Sequence, residues 1–399
     1  MFDVAVIGAG PSGSWTAYLL AAQGARVALI DGSHPREKPC GGGVTGRALA
    51  LVAPVLPDLL DAGTRIGSAR FVHAASARAC TVPLGDEGTS SLLVASRRSF
   101  DLKLLALARD AGAELRPARA TDIVRAGSGY RVQLQTGHAV AARTIVGADG
   151  VTSLVRRRFA VPFRRDQLSI AAGFFVYGPI RTEIVIEFAA DPAGYFWSFP
   201  RPDHLAVGVC TQADAGETAG RLKARTADWI RATGLGADGR WQPYSWPIPS
   251  LNAGDLAQLT LAGDDWCLVG DAAGLVDPIT REGIYFSLRS AALAADAVGG
   301  GHLRGYASRV RAEIVSELAR AARLKAGFFT PHFTRLVMDA LGESPAVRRV
   351  MADLITGTQL YRGLAWRLLS TLEVGLACRL AVATARRTRA GHAPGRLAD

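Results

Sequence analysis

The chain has 399 residues, 49% hydrophobic and 20% charged, with 46 Lys plus Arg against 35 Asp plus Glu for a formal net charge of +11. That length exceeds the roughly 100–200 residues of one ordinary domain, and no long Pro/Ser-rich or single-sign tract interrupts it, so two interlocked compact domains are expected rather than a disordered tail. The five cysteines, Cys40, Cys80, Cys210, Cys267 and Cys378, are odd in number and share no metal-ligand spacing, which excludes a disulfide framework and a metal site and points to a reducing cytoplasm.

Met1 leads directly into a strand-like Phe2 to Ile7, so no secretory signal is expected, and no apolar run reaches the ~18 residues that span a bilayer. Strand Asp3 to Ile7, the turn Gly8-Ala9-Gly10-Pro11-Ser12-Gly13 and a helix over Ser14 to Gln23 follow in order. Gly8 permits the tight turn, Gly10 lets backbone approach a pyrophosphate, and Gly13 lets helix pack closely on strand. Gly8, Gly10, Ser12 and Gly13 are thus the candidate phosphate set at a helix N-terminus. A second strand, Arg26 to Ile30, ends in Asp31, about 20 residues beyond the glycines, where a ribose hydroxyl needs an acceptor. Together these predict a dinucleotide site.

Pro35-Arg36-Glu37-Lys38-Pro39-Cys40-Gly41-Gly42-Gly43 comes next: two prolines stiffen the chain before a lone thiol, and Gly42 and Gly43 allow close backbone approach to a flat or phosphorylated group. Arg97-Arg98-Ser99-Phe100-Asp101 leads into an amphipathic helix expected over Leu102 to Ala111. Thr144 to Gly147 is a strand entering an Asp149-Gly150 turn, and Trp266 to Val269 is another that ends in Gly270-Asp271; each sets a carboxylate at a strand's carboxyl end, where ligands of open α/β sheets collect.

Between those two carboxylates lie strands expected over 170–177, 183–188, 195–199 and 204–210, in antiparallel succession. On the third, the period of two turns Tyr195, Trp197 and Phe199 to one face. Pro278 to Ile284 opens a helix at Gly283, and the Gly283 and Ile284 amides can favour negative charge on a bound ligand. Tyr361 to Arg387 is expected to be one helix whose apolar face either packs on the body or lies on a membrane surface. The arginine groups 156–158, 164–165 and Arg379, Arg386, Arg387, Arg389 lack interleaved aromatics, so they read as solvated charge and no nucleic-acid partner is expected.

The Asp149-Gly150 and Gly270-Asp271 motifs and Arg97-x-x-Phe100-Asp101 resemble those of the para-hydroxybenzoate hydroxylase-like flavoproteins. The likeness implies FAD as cofactor, Asp271 on its ribityl chain and Arg97 in contact with it. Lys38-x-Cys40-Gly-Gly-Gly and Tyr195-x-Trp197-x-Phe199-Pro200 resemble the signatures of the geranylgeranyl reductase family, with Cys40 beside the flavin ring; Arg281 departs from the family's usual Gly. The resemblance runs to about residue 300. It implies an α/β (α+β overall) fold: a discontinuous Rossmann-like FAD-binding domain (1–70, 96–165, 262–330), an inserted antiparallel-sheet catalytic domain (71–95, 166–261) and a C-terminal helical region (331–399).

The implied reaction saturates C=C bonds of a prenyl chain on a lipid or small molecule, with hydride from reduced flavin and a proton from elsewhere. An isolated alkene then develops tertiary cation character, which the faces of Tyr195 and Trp197 tolerate by cation–π attraction. Cys40 is read as positioning the alkene, as relaying a proton, or as a small well-fitting residue, with water an alternative donor. With no second dinucleotide motif, NADPH, NADH or ferredoxin would bind transiently. A monooxygenase or halogenase of the same fold, and a non-catalytic prenyl-lipid-binding flavoprotein, are the rival readings. The expected location is cytoplasmic or peripheral on the inner membrane face, and the sequence sets no oligomeric state.

Overall fold

The structure is a computed structural model, and it describes residues 1–371 apart from 74, 75, 77, 85–91, 179–180, 237–238 and 302. Cys378 and the arginines from Arg379 onward lie outside the described residues.

Val4 to Ile7 and Val27 to Ile30 are uninterrupted buried apolar runs, the pattern of strands covered on both faces. They form the centre of a parallel array in which Phe2–Ile7 lies between Val27–Ile30 and Ala139–Gly147, with Glu114–Arg116 outside the former and Trp266–Leu268 beside the latter. Two antiparallel strands, Gly129–Leu134 and Ala120–Ala126, complete the sheet. Helix Pro11–Ala22 packs against both Arg97–Asp110 and Ile284–Gly299. It starts three residues earlier than expected because Pro11 suits a first helical turn, where its missing N–H loses nothing.

A second seven-stranded sheet runs in the order Arg240–Pro249, Leu168–Tyr177, His204–Gln212, Ala193–Pro200, Glu183–Ala190, Ser68–His73, Arg78–Pro83. All neighbours are antiparallel except Glu183–Ala190 with Ser68–His73. The four strands expected between the two carboxylate motifs are present, extended by one or two residues at one or both ends. Arg240–Pro249 adds a fifth, despite prolines at 243, 247 and 249; it lies at the sheet's edge, where a missing N–H is tolerated. Leu92–Ala95 pairs not with this sheet but with Gly43–Val44 and Gly63–Ile66, in a three-stranded ribbon joining the two halves.

Helices Ser316–Phe328, Pro331–Glu343, Pro345–Thr356 and Leu364–Leu369 close one side of the large sheet, with Met338, Leu341 and Val347 packed on Phe71, Ile184 and Phe188. The single helix expected from Tyr361 is corrected: its described part is helical only over Leu364–Leu369. Gly363 adopts φ +80 ahead of it, and the Tyr361 amide donates instead to Glu317. Among the described residues no helix is long and apolar enough to cross a membrane.

Candidate active site

A cavity of 1230 Å³ runs between the two sheets and under the C-terminal helices. Of the candidate site residues, Gly8, Gly10, Ser12, Asp31, Cys40, Gly42, Gly43, Arg97, Tyr195, Trp197, Asp271, Gly283 and Ile284 all line it, although they are spread over 277 positions. Gly13 does not. It lies behind the turn, where a Cβ would fall 1.8 Å from the Gly8 carbonyl oxygen, so its part is to let the helix approach the strand.

The glycine turn shapes one end. Gly8 has φ +101, and a Cβ there would meet the Ala148 carbonyl at 2.5 Å; at Gly10 only the His34 ring, at 3.6 Å, lies within reach. Asp31 accepts hydrogen bonds from the amides of Ala9 (2.9 Å) and His34 (2.8 Å), and its Oδ2 lies 2.9 Å from His34 Nδ1. Burial alone would raise the Asp31 carboxyl, but the His34 ring and the Ala9 and Ser33 amides hold it well below the usual range. The polar chain continues inward: His34 Nε2 lies 3.6 Å from Asp101, which grips Arg97 in a bidentate pair at 2.9 and 2.8 Å. Arg97 Nη1 then donates to the Cys40 sulfur at 3.5 Å. The residue expected to touch the cofactor is therefore oriented by Asp101 and turned toward the thiol.

Two residues outside the expected set organise the Cys40 loop. Glu37 accepts from the Arg97 amide and the Ser96 hydroxyl, both at 2.9 Å, and so caps helix Arg97–Asp110, which begins five residues before its expected start. The same carboxylate pairs with Arg201, whose side chain is wholly buried and whose Nη2 donates to the Cys40 carbonyl at 2.6 Å. A buried guanidinium is tolerable only when so partnered. Both residues sit next to motifs visible in the sequence, Arg201 directly after Pro200 and Glu37 three before Cys40. No local pattern links positions 164 apart, so their pairing was illegible there. Gly42, at φ +85, brings the loop onto the Ala95 carbonyl, where a Cβ would sit at 2.4 Å, and a Cβ on Gly41 would press the Phe199 ring at 3.2 Å.

Opposite this loop stands strand Ala193–Pro200. Tyr195, Trp197 and Phe199 all face the cavity, while Phe196 points the other way and stacks on Trp229 at 5.4 Å. The Tyr195 and Trp197 rings lie 5.9 Å apart, and Phe329 stacks beyond Tyr195 at 6.1 Å. The Tyr195 hydroxyl donates to the Thr280 carbonyl at 3.1 Å, and burial pushes its phenol well above the usual range. Asp271 presents its carboxylate to the Lys38 ammonium at 3.0 Å. Asp277 accepts from the Ile279 and Thr280 amides at 2.7 and 2.9 Å and fixes the turn that carries Arg281 at φ +62 into the Gly283 N-cap. Beyond the aromatics the cavity becomes apolar, bounded by Ile184, Phe188, Val347, Met351, Leu364 and Leu368.

An ordinary small-molecule pocket holds roughly 300–1,000 Å³. This one is larger and changes character along its length, from glycine backbone and carboxylates to aromatic and aliphatic walls. The cradle that any Cβ would fill at Gly8, the acceptor at Asp31 and the helix N-termini at Pro11 and Ile284 fit a dinucleotide.

Residues 1–178 match the FAD binding domain family, and together with the reductases that the whole chain resembles this makes the chain an FAD-dependent oxidoreductase. It is 30% identical over 356 residues to a digeranylgeranylglycerophospholipid reductase of Methanothrix thermoacetophila, covering 82% of this chain and 87% of that one. It is 29% identical over 384 residues to a menaquinone reductase of Mycolicibacterium smegmatis, covering 89% and 92%. The fold is shared with a geranylgeranyl bacteriochlorophyll reductase-like protein from Thermoplasma acidophilum, at TM-score 0.76, 21% identity and coverage of 93% and 99%. The chain belongs to the geranylgeranyl reductase family.

Proposed function

We propose that the chain saturates carbon–carbon double bonds of a prenyl chain of the geranylgeranyl type. The observation that carries this reading is that the thiol-glycine loop and the aromatic strand face one another across a cavity that continues into an apolar slot. Bound FAD would supply the hydride. The Gly8 to Ser12 backbone and the first helix would hold its pyrophosphate, Asp31 its ribose and Asp271 its ribityl chain, with the Ile284 helix N-terminus favouring negative charge at the ring's far edge.

Tyr195 and Trp197 present ring faces where the branched carbon gains positive charge, worth about 0.5–2 kcal/mol each once water is excluded, and neither offers a nucleophile that would trap it. Cys40, ordered by Arg97 and the Glu37–Arg201 pair, bounds the opposite wall and positions the alkene. A thiol is a weak acid toward an alkene, so a water held between these walls delivers the proton. NAD(P)H or ferredoxin restores the electrons by transient contact.

An association with the membrane surface is part of the same reading. Leu364 and Leu368 line the slot, whereas Trp366 and Leu369 on the same short helix are 76% and 56% exposed, a geometry that lets a lipid tail pass from an interface into the protein. The test is anaerobic incubation of photoreduced, FAD-loaded protein with geranylgeranyl diphosphate, read by mass spectrometry. A gain of hydrogen pairs is expected. No change would leave a ligand carrier, and a mass gain that appears only in a parallel incubation with oxygen would make the protein a monooxygenase.

A further inference from the structure

Arg281 is the one non-glycine residue among those described with a positive φ, +62. A side chain in the left-handed region costs on the order of 1 kcal/mol and is uncommon outside Asn and Asp, so the turn holds it against its local preference. Its guanidinium lines the cavity, and Nη1 donates to the Pro278 carbonyl. Nε is buried with no acceptor, and no described carboxylate forms an ion pair with it. The nearest acids in the chain are engaged elsewhere: Glu282 with Arg47 and Thr45, and Asp277 with the turn amides.

Further cations lie near it. Arg323 of helix Ser316–Phe328 lines the same cavity, as does Arg320, which is paired with Glu317 at 3.3 Å. Lys325 of that helix is bound to Gln212 (2.9 Å) and the Ser250 hydroxyl (2.6 Å), neutral partners both. Burial, and then the Arg281 charge, push its amine down to about 7. A neutral acceptor such as a quinone carbonyl would satisfy the free N–H but leave the Arg281 charge without a counter-ion. An anion with several oxygens answers both needs.

We propose that Arg281 is the anchor of an anion subsite that takes a phosphate or pyrophosphate group at the head of the prenylated substrate. The assignment rests on the prenyl-reductase reading for the tail, which enters the apolar slot on the far side of Tyr195. It also narrows that reading to phosphorylated substrates over uncharged ones.

The experiment titrates inorganic pyrophosphate into FAD-loaded protein by calorimetry, comparing the natural chain with Arg281→Gly and Arg281→Lys. FAD occupies its own pyrophosphate site throughout, and glycine suits φ +62, so the first variant folds. Affinity is expected to fall at least ~10-fold in R281G and to be partly kept in R281K. Steady-state reduction is then expected to show KM for geranylgeranyl diphosphate rising by a similar factor in R281G, with KM for geranylgeraniol unchanged. Equal pyrophosphate affinity in the natural chain and R281G overturns the subsite. So does a lowered flavin midpoint potential in R281G with pyrophosphate binding intact, because the guanidinium would then serve the cofactor. If pyrophosphate binds through Arg281 yet neither prenyl compound is reduced, the subsite stands and the reductase reading falls.

Discussion

The two ends of the cavity are built by opposite means. The glycine-turn end comes from consecutive residues, strand Phe2–Ile7, turn and helix Pro11–Ala22, and its shape is enforced by backbone collisions that any side chain would cause. The thiol and aromatic end is assembled from Glu37, Cys40, Arg97, Tyr195, Arg201 and Arg281, brought together by buried charge pairs and ring contacts across two sheets. The first end is therefore rigid by covalent geometry, whereas the second is only as well placed as its partners make it.

The sharpest way to break this contrast is Gly13→Val. With 1.8 Å between a Cβ and the Gly8 oxygen the helix must move off the strand, and FAD affinity is expected to fall more than ~100-fold, read as flavin absorbance per mole of purified protein. Retention of full flavin content would show that the turn is not the rigid element. At the other end, Arg201→Met leaves Glu37 without its guanidinium and the Cys40 carbonyl without its donor. A loss of about 3–5 kcal/mol is expected, visible as a lower melting temperature of the FAD-bound protein. An unchanged melt would mean that the loop is ordered without the pair.

A smaller effect should separate chemistry from cofactor binding. Trp197→Leu removes one aromatic face, and kcat/KM for geranylgeranyl diphosphate is expected to drop about 10-fold while flavin content stays constant. Equal losses in both would place Trp197 in folding alone.

The smallest expected effect concerns Lys325, whose amine is lowered from 10.5 to about 7 by burial. Between those values the unfolded chain holds a proton that the folded chain has released, so this group adds stability as pH rises from about 7 toward 10 and adds none of that increment below 7. The side chain is partly open to solvent and bound by three oxygen contacts, which limits the gain to roughly 1 kcal/mol. Chemical denaturation of Lys325→Met across that window should lack the rise, and a parallel slope in both proteins would refute the assignment.

The same contrast explains what is legible in the sequence. The dinucleotide turn, the Asp149 and Asp271 strand ends and the alternation of Tyr195, Trp197 and Phe199 are periodic or contiguous, so local sterics and strand geometry announce them in the sequence. Two helices begin ahead of the periodic positions Ser14 and Leu102 because Pro11 and the Glu37 cap act where hydrophobic periodicity gives no mark. The apolar periodicity from Tyr361 does not become helix until Leu364 because Gly363, at φ +80, interrupts it.

What the amino-acid order determined by itself was the glycine-turn end, since backbone conformation at Gly8 and the packing of helix on strand depend on neighbours within a few residues. Only the tertiary structure decided that Glu37 would join Arg201, that Arg97 would face the Cys40 sulfur, and that Arg281 would meet the cavity with an unpaired donor. Charge pairing across more than a hundred residues carries no sequence periodicity, because the partners are selected by low dielectric and proximity after the two sheets have packed.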